Sequence, residues 1–123
     1  MTIEYHEPPG ELSSATRDIH RALSSLAEEL EAVDWYQHRI ELAEDDELRG
    51  ILSHNRNEEF EHAAMALEWL RRHMPEFDER LRRYLFTDQP IPDIAKAREA
   101  ATGSAGAKPA GLGIGSMRKG EAS

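Results

Sequence analysis

The second half of the chain carries a helical apolar stripe that is interrupted at its centre by polar residues. Steps of three and four residues pick out, in order, Leu48, Leu52, Asn55, Glu59, His62, Ala66 and Leu70. Both ends of this stripe are apolar, which is typical of a helix that packs against a core. A carboxylate on such a face is costly unless it is paired or binds a cation. The stretch around Glu59 therefore constrains both the fold and the chemistry of the chain.

Glu59 and His62 predict a metal site. They lie three residues apart on one helical face, so both side chains can reach a single point. The chain contains no cysteine, which excludes thiolate ligands, disulfides and cysteine nucleophiles. Carboxylate and imidazole ligands suit iron or manganese, and the precedent of helical bundles with di-iron sites favours iron.

A first long helix is predicted upstream of this stripe. Ser13 or Ser14 can cap its start, and from there to about Ala43 no Pro or Gly interrupts the pattern. Glu29 lies on the apolar stripe of this helix, three residues after Leu26. It is the carboxylate that the first helix contributes to the predicted site.

The second long helix follows after a tight turn. Asp45 or Asp46 can cap its start, and the helix is predicted to run from about Glu47 to His73. It should end there because the residue before Pro75 is disfavoured in a helical conformation.

The remaining composition divides the chain into four segments. A short third helix is predicted from Glu76 to Phe86, and a weak helical turn from Ile94 to Ala101. Pro8, Pro9 and Gly10 predict a lead without regular structure, and the Gly-, Ala- and Ser-rich stretch after Thr102 is typical of a linker. The predicted segments are a flexible lead at 1–12, a helical domain at 13–90, a flexible linker at 91–110 and a C-terminal peptide at 111–123.

The predicted fold class is all-α, with the two long helices forming an antiparallel hairpin. A lone hairpin cannot enclose its own apolar stripes, so self-association into a four-helix bundle is expected. Known di-iron bundles take a Glu from each of two helices and a Glu-x-x-His from each of two others. One chain supplies half of that set, so a symmetric dimer in which each subunit contributes Glu29, Glu59 and His62 would complete it.

The charge of the chain is unevenly distributed. The whole chain has a net charge of −9, and residues 91–123 carry a net charge of +2. The other 90 residues therefore carry a net charge of −11. Such an acidic body repels nucleic acid and attracts cations. The polar start of the chain is unlike a signal peptide, and no apolar run approaches the roughly 18 residues needed to cross a bilayer. A cytoplasmic protein without nucleic-acid or membrane partners is therefore expected.

Several stretches of the chain resemble the encapsulated ferritins, over roughly residues 14–90. They are EELEAVDWY at 28–36, HNRNEEFEHAAM at 54–65, LEWLRR at 67–72 and YLFT at 84–87. The C-terminal residues Leu112, Gly113, Ile114, Gly115 and Ser116 resemble the peptide that docks such proteins inside an encapsulin shell. Leu112 and Ile114 alternate with glycine, which suits an extended peptide with apolar anchors.

The resemblance implies a half-ferritin ferroxidase, which oxidises Fe(II) with O2 at a di-iron centre shared between two subunits and delivers iron for storage inside an encapsulin nanocompartment. It also implies further assembly into a ring-shaped decamer. In such a protein Glu29, Glu59 and His62 bind the iron and Tyr36 lies beside it. Iron enters at Glu28, Glu31 and Trp35, and an outer, weaker site is formed by His54, Glu58 and Glu61. Spacings of three and four place each of these two sets on one helical face.

Two other functions compete with this interpretation. The first is a non-enzymatic, acidic helical interaction protein whose Glu-x-x-His is a surface pair. The second is a haemerythrin-like, oxygen-binding di-iron protein, which would need more histidine ligands and the i, i+4 His pairs that this sequence lacks.

Overall fold

The computed structural model describes residues 3–105, and every regular secondary-structure element in this part of the chain is a helix. Its helices are a 3-10 turn at Pro9–Glu11, α1 at Ser14–Leu42, α2 at Asp46–His73, α3 at Pro75–Tyr84 and α4 at Ile91–Ala105. They fall into two compact units, the first ending at His73 and the second beginning at Met74. The predicted all-α class with a long two-helix hairpin is confirmed. Among these helices none combines the length and the apolar character that a membrane span requires.

Helix α1 begins and ends where its capping residues predict. Ser13 is the N-cap, and its hydroxyl oxygen accepts a hydrogen bond from the Thr16 backbone N–H at 3.1 Å. At the other end Ala43 turns to an extended conformation while its N–H still donates to the Arg39 carbonyl at 2.9 Å. The cap is therefore Ser13 and not Ser14, because the first residue with helical geometry is Ser14.

Helix α2 is capped by Asp45. Its carboxylate oxygen accepts from the Leu48 N–H at 2.8 Å, so of the two candidate aspartates Asp45 is the cap. Acidic residues in the first turn and basic residues in the last turn complement the helix dipole. The helix ends at His73, directly before Met74 and Pro75, as predicted.

The two long helices pack antiparallel. The Gln37 side-chain oxygen accepts a hydrogen bond from Arg56 at 2.7 Å, and the His62 ring nitrogen lies 3.9 Å from a Glu29 carboxylate oxygen. From the first pair to the second, the residue number falls in α1 and rises in α2, as expected for antiparallel helices. The two pairs together define the register of the hairpin. In α2 only Ala63 and Leu70 are buried, and no residue of α1 is. The hairpin leaves several large apolar side chains exposed, among them Leu48, Ile51 and Phe60.

The segment before α1 is more ordered than the sequence predicts. Pro9–Glu11 forms a 3-10 turn where Pro8, Pro9 and Gly10 predicted no regular structure. The Arg17 guanidinium donates to the carbonyl of Pro9 at 2.9 Å and to that of Leu12 at 2.5 Å. Before this turn, the ring of Tyr5 stacks on that of His20 in α1, with the ring centroids 3.8 Å apart. These contacts with α1, rather than local propensity, order the segment.

In the second unit the structure differs most from the sequence-based prediction. Helix α3 ends at Tyr84, two residues before the predicted Phe86, whose φ of 60° is left-handed. Helix α4 spans Ile91–Ala105, where only a short turn within a linker was expected. Ile94 is buried, and Arg98 donates to Glu79 at 3.1 Å, so contacts with residues distant in sequence stabilise α4. The end of the linker and the C-terminal peptide at 111–123 lie outside the described residues.

Candidate metal centre

Helices α1 and α2 bring three predicted ligands together. One ligand atom each from Glu29, Glu59 and His62 lies within 4.8 Å of the others. Over residues 3–105 no other group of three or more His, Asp or Glu side chains comes as close together. We refer to Glu29, Glu59 and His62 as the triad.

The triad is half-buried on its carboxylate side and open on its imidazole side. His62 Nδ1 lies 3.0 Å from Glu59 Oε1 and 3.9 Å from Glu29 Oε2, so this nitrogen faces both carboxylates. The side chains of Glu59 and Glu29 are 20% and 28% exposed, whereas that of His62 is 45% exposed. An ion held by the three side chains would therefore retain open positions toward the outside of the hairpin.

The electrostatics of the triad favour a cation. Burial raises the pKa of Glu29 above its ordinary value, and the hydrogen bond and negative charge of Glu59 raise it further. The hydrogen bond to Glu59 also raises the pKa of His62, and this effect outweighs the opposing effect of desolvation. Both groups therefore hold protons more tightly than they would in water, Glu29 mainly through burial and His62 mainly through its hydrogen bond, and the negative charge of the neighbouring carboxylates adds to both effects. A metal ion would relieve the same repulsion.

The donor set also fits iron. Two carboxylates and one imidazole match the oxygen- and nitrogen-rich ligands of non-haem iron and manganese sites, and three ligands leave coordination positions free. Because three protein ligands are too few to enclose a pair of ions, the triad is half of the set that known di-iron bundles use.

Tyr36 lies on the face of α1 that carries Glu29, two helical turns further along. It is half-buried, and its ring is covered by the Arg39 guanidinium at 5.2 Å from the ring centroid. Sequence reasoning did not identify Arg39 as a neighbour of Tyr36, although its position three residues later would have suggested the contact. The role of Tyr36 beside a metal ion stays a prediction.

The two outer sets of predicted residues are less closely grouped. Glu28 and Trp35 are exposed on α1, and Glu31 is half-buried. On α2 the His54 Nε2 and a Glu58 carboxylate oxygen are 3.3 Å apart, and Glu61 is exposed one turn further along. Within the described residues of one chain, neither set forms a three-residue ligand group. Their proposed roles as iron sites stay predictions.

Comparisons with known proteins agree with this architecture. The EncFtn-like family model matches residues 4–88, a span that contains both hairpin helices and the triad. A protein named "Ferritin-like protein" from Thermotoga maritima is 54% identical over 106 residues, which cover 86% of this chain and 93% of that relative. A protein from Rhodospirillum rubrum named "Encapsulated ferritin-like protein" is 52% identical over 125 aligned residues, covering 95% of this chain and 89% of the relative.

A solved structure is similar as well. The crystal structure of a protein from Nitrosomonas europaea superposes with a TM-score of 0.70 at 60% sequence identity. The similarity covers 72% of this chain and 98% of that one. The two proteins are therefore similar in sequence as well as in fold.

Proposed function

The chain belongs to the EncFtn-like family, and from this membership we propose that it is a ferroxidase, which oxidises Fe(II) to Fe(III) with O2. The observation that supports the proposal most directly is the triad, whose two carboxylates and imidazole converge within 4.8 Å on one face of the hairpin. Fe(II) is the substrate, and Glu29, Glu59 and His62 hold it.

The active form is a dimer. The face of α2 that carries the triad also carries Leu48 and Ile51, eleven residues before Glu59 and His62 respectively. Eleven residues are close to three full turns, so these side chains lie on nearly the same side of the helix. Leu48 is 45% exposed and Ile51 is 53% exposed in the single chain. A second copy placed against this face covers both apolar side chains and brings its own triad to the ions.

The chemistry follows from the ligands. Carboxylates are hard, negatively charged ligands, and they stabilise Fe(III) more strongly than Fe(II). Each Fe(II) gives up one electron, which O2 accepts. Burial and Glu59 raise the pKa of Glu29, and the hydrogen bond to Glu59 raises that of His62, so Fe(II) competes with protons for both groups. His62 must be neutral to donate its lone pair to the ion. The triad therefore exchanges protons for metal ions.

The other predicted residues assist this reaction in the proposal. Exposed acids concentrate cations by their local potential. Glu28 and Glu31, with Trp35, form the place where iron enters, and His54, Glu58 and Glu61 form the outer, weaker site. Tyr36 lies beside the iron. The 3.3 Å contact between His54 and Glu58 supports the second group, because it places two potential ligand atoms side by side.

We further propose that the oxidised iron is delivered for storage inside an encapsulin nanocompartment, where the protein is located. An open ring such as the proposed decamer has no interior for mineral. The name of the Rhodospirillum rubrum relative describes that protein as encapsulated. Here Leu112, Gly113, Ile114, Gly115 and Ser116 are the residues that would dock to the shell. Because α4 ends at Ala105, only six residues separate it from Leu112, and they span at most about 20 Å when fully extended.

The proposed reaction is tested by adding Fe(II) anaerobically to the purified full-length chain and then admitting O2. Iron content per chain, oligomer mass and oxygen consumption are measured on the same sample. The proposal expects one tightly bound iron per chain, an oligomer with an even number of subunits and oxygen uptake that exceeds the rate without protein. Tight iron binding by a monomer, or no oxygen uptake by the iron-loaded oligomer, would contradict it.

A further inference from the structure

Asn55 is the one polar residue of the interrupted stripe that the triad does not use. It is half-buried on α2, four residues before Glu59 and seven before His62, and therefore on the same helical face as both. Its side chain makes no hydrogen bond within the part of the chain that the structure describes. A half-buried carboxamide with two donors and an acceptor unused is costly, unless the functional state supplies a partner.

The neighbouring donors on α2 are engaged elsewhere. Arg56 donates to Gln37 across the hairpin at 2.7 Å and to the side chain of Asn57 at 3.1 Å. On the far side of Glu59, the residue one turn later is Ala63, which has no polar side chain. Asn57 lies on the exposed side of α2. Asn55 is thus the neutral donor on the face of the triad, within one turn of Glu59, that is free to serve its carboxylate.

The structure gives Glu59 a different partner. His62 Nδ1 and Glu59 Oε1 are 3.0 Å apart and hydrogen bonded. The same nitrogen faces Glu29, so it is the atom that would bind an ion held by the triad. Binding therefore removes the hydrogen bond from Glu59. A carboxylate that binds a metal is usually oriented by another hydrogen-bond donor.

We propose that Asn55 is a positioning residue, whose carboxamide donates to Glu59 when His62 turns to the metal. This inference rests on the proposed metal-binding function of the triad. An i, i+4 pair of an amide and a carboxylate has the correct helical spacing for such a hydrogen bond. Asn55 holds the Glu59 carboxylate in the orientation that binds the ion and does not itself contact the ion.

The test measures Co(II) binding by the assembled, full-length chain without iron, from the visible absorption of the bound ion. Asn55→Leu removes the donor and restores an apolar stripe, so it should fold. Its Co(II) affinity is expected to fall about ten- to a hundred-fold, as is usual for loss of such a partner, with a shift of the absorption bands. Asn55→Gln retains the amide and should recover most of the loss. Asn57→Leu is the matched control, because Asn57 is exposed and bonded to Arg56.

Three results would overturn the role of Asn55. The first is a Co(II) affinity of Asn55→Leu within about two-fold of the wild-type value. The second is an equal loss of Co(II) affinity in Asn57→Leu. The third is an Asn55→Gln variant that does not recover Co(II) affinity although its circular dichroism and melting temperature are normal. If Asn55→Leu does not fold, Asn55→Ala replaces it, since Ala is the best helix former. Failure of the proposed ferroxidase is distinguishable, because the wild-type chain would then bind Co(II) without oxidising Fe(II).

Discussion

His62 Nδ1 lies 3.0 Å from Glu59 Oε1, one helical turn away on α2. The same nitrogen is 3.9 Å from Glu29 on the neighbouring helix, so the imidazole joins the two carboxylates into one cluster. The hydrogen bond between His62 and Glu59 holds this side of the cluster together. The same atoms are the ligands of the proposed centre, which makes the triad sensitive to pH, to metal ions and to substitution.

Removing a ligand should remove activity without unfolding the chain. Glu59→Gln keeps the shape of the side chain but loses its charge and one acceptor. We expect the rate of oxygen-dependent Fe(II) oxidation to fall at least about a hundred-fold, more than for loss of a supporting hydrogen bond alone. Glu41→Gln, an exposed residue at the end of α1, is the matched control and should keep the wild-type rate. A Glu59→Gln rate equal to that of the control would rule out the triad as the oxidation site.

Metal binding should weaken as the pH falls. The pKa of His62 is raised by its hydrogen bond to Glu59, so the imidazolium persists above the ordinary value of about 6.5 and competes with the ion there. The pKa of Glu29 is also raised, so a proton on Glu29 competes with the ion as the pH falls as well. Co(II) titrations between pH 8 and pH 5 should show affinity decreasing as the pH falls. Affinity independent of pH over this range would contradict displacement of protons from the triad.

Glu29→Gln should stabilise the metal-free chain while abolishing its stabilisation by metal. Because the folded-state pKa of Glu29 is raised, its charged form is disfavoured in the fold, and this costs stability as the pH rises above the unfolded value. The neutral amide avoids that cost. We expect a higher melting temperature than wild type at pH 7 without metal and no increase on adding Co(II). A lower melting temperature of the metal-free variant would show that the carboxylate stabilises the fold instead.

The proposed dimer face can be tested by placing a charge on it. Ile51→Glu puts an acidic residue on the face that carries the triad, where two copies would bring like charges together. We expect loss of assembly in light scattering, loss of Fe(II) oxidation and retained helicity. Leu42→Glu is the control, because Leu42 is 80% exposed in the single chain. It lies seven residues, or two helical turns, after the exposed Trp35 and therefore on the same outer side of α1. A fully active Ile51→Glu monomer would mean that one chain forms the site alone.

The C-terminal peptide should be needed for storage but not for catalysis. Deleting residues 111–123 leaves every residue of the triad and every described helix in place. The truncated chain should oxidise Fe(II) at the wild-type rate but no longer co-purify with a co-expressed encapsulin shell. A variant with Leu112 and Ile114 both changed to Ser keeps the length and should behave in the same way. Undiminished loading of both variants would assign docking to another part of the chain.

Much of the hairpin and the triad could be predicted from local sequence. Ser13 and Asp45 cap the two helices through hydrogen bonds to residues three positions away, and no Pro interrupts either helix. Helical geometry also places Glu59 and His62, three residues apart, on one face of α2. The same geometry places Glu29 on the apolar stripe of α1. These features follow from interactions within one or two turns, and such interactions are directly visible in a sequence.

Only the tertiary structure decided which residues distant in sequence meet. The hairpin register places His62 level with Glu29, and no local pattern determines that alignment. Helix α4 is stabilised by the contact between Glu79 and Arg98, so the sequence predicted only a weak helical turn from Ile94 to Ala101. The turn before α1 is stabilised by Arg17, so it was predicted as irregular. The donor left free at Asn55 was likewise visible only once its neighbours were seen to bond elsewhere. The physical reason is that packing, not propensity, selects among the conformations that a locally ambiguous segment can adopt.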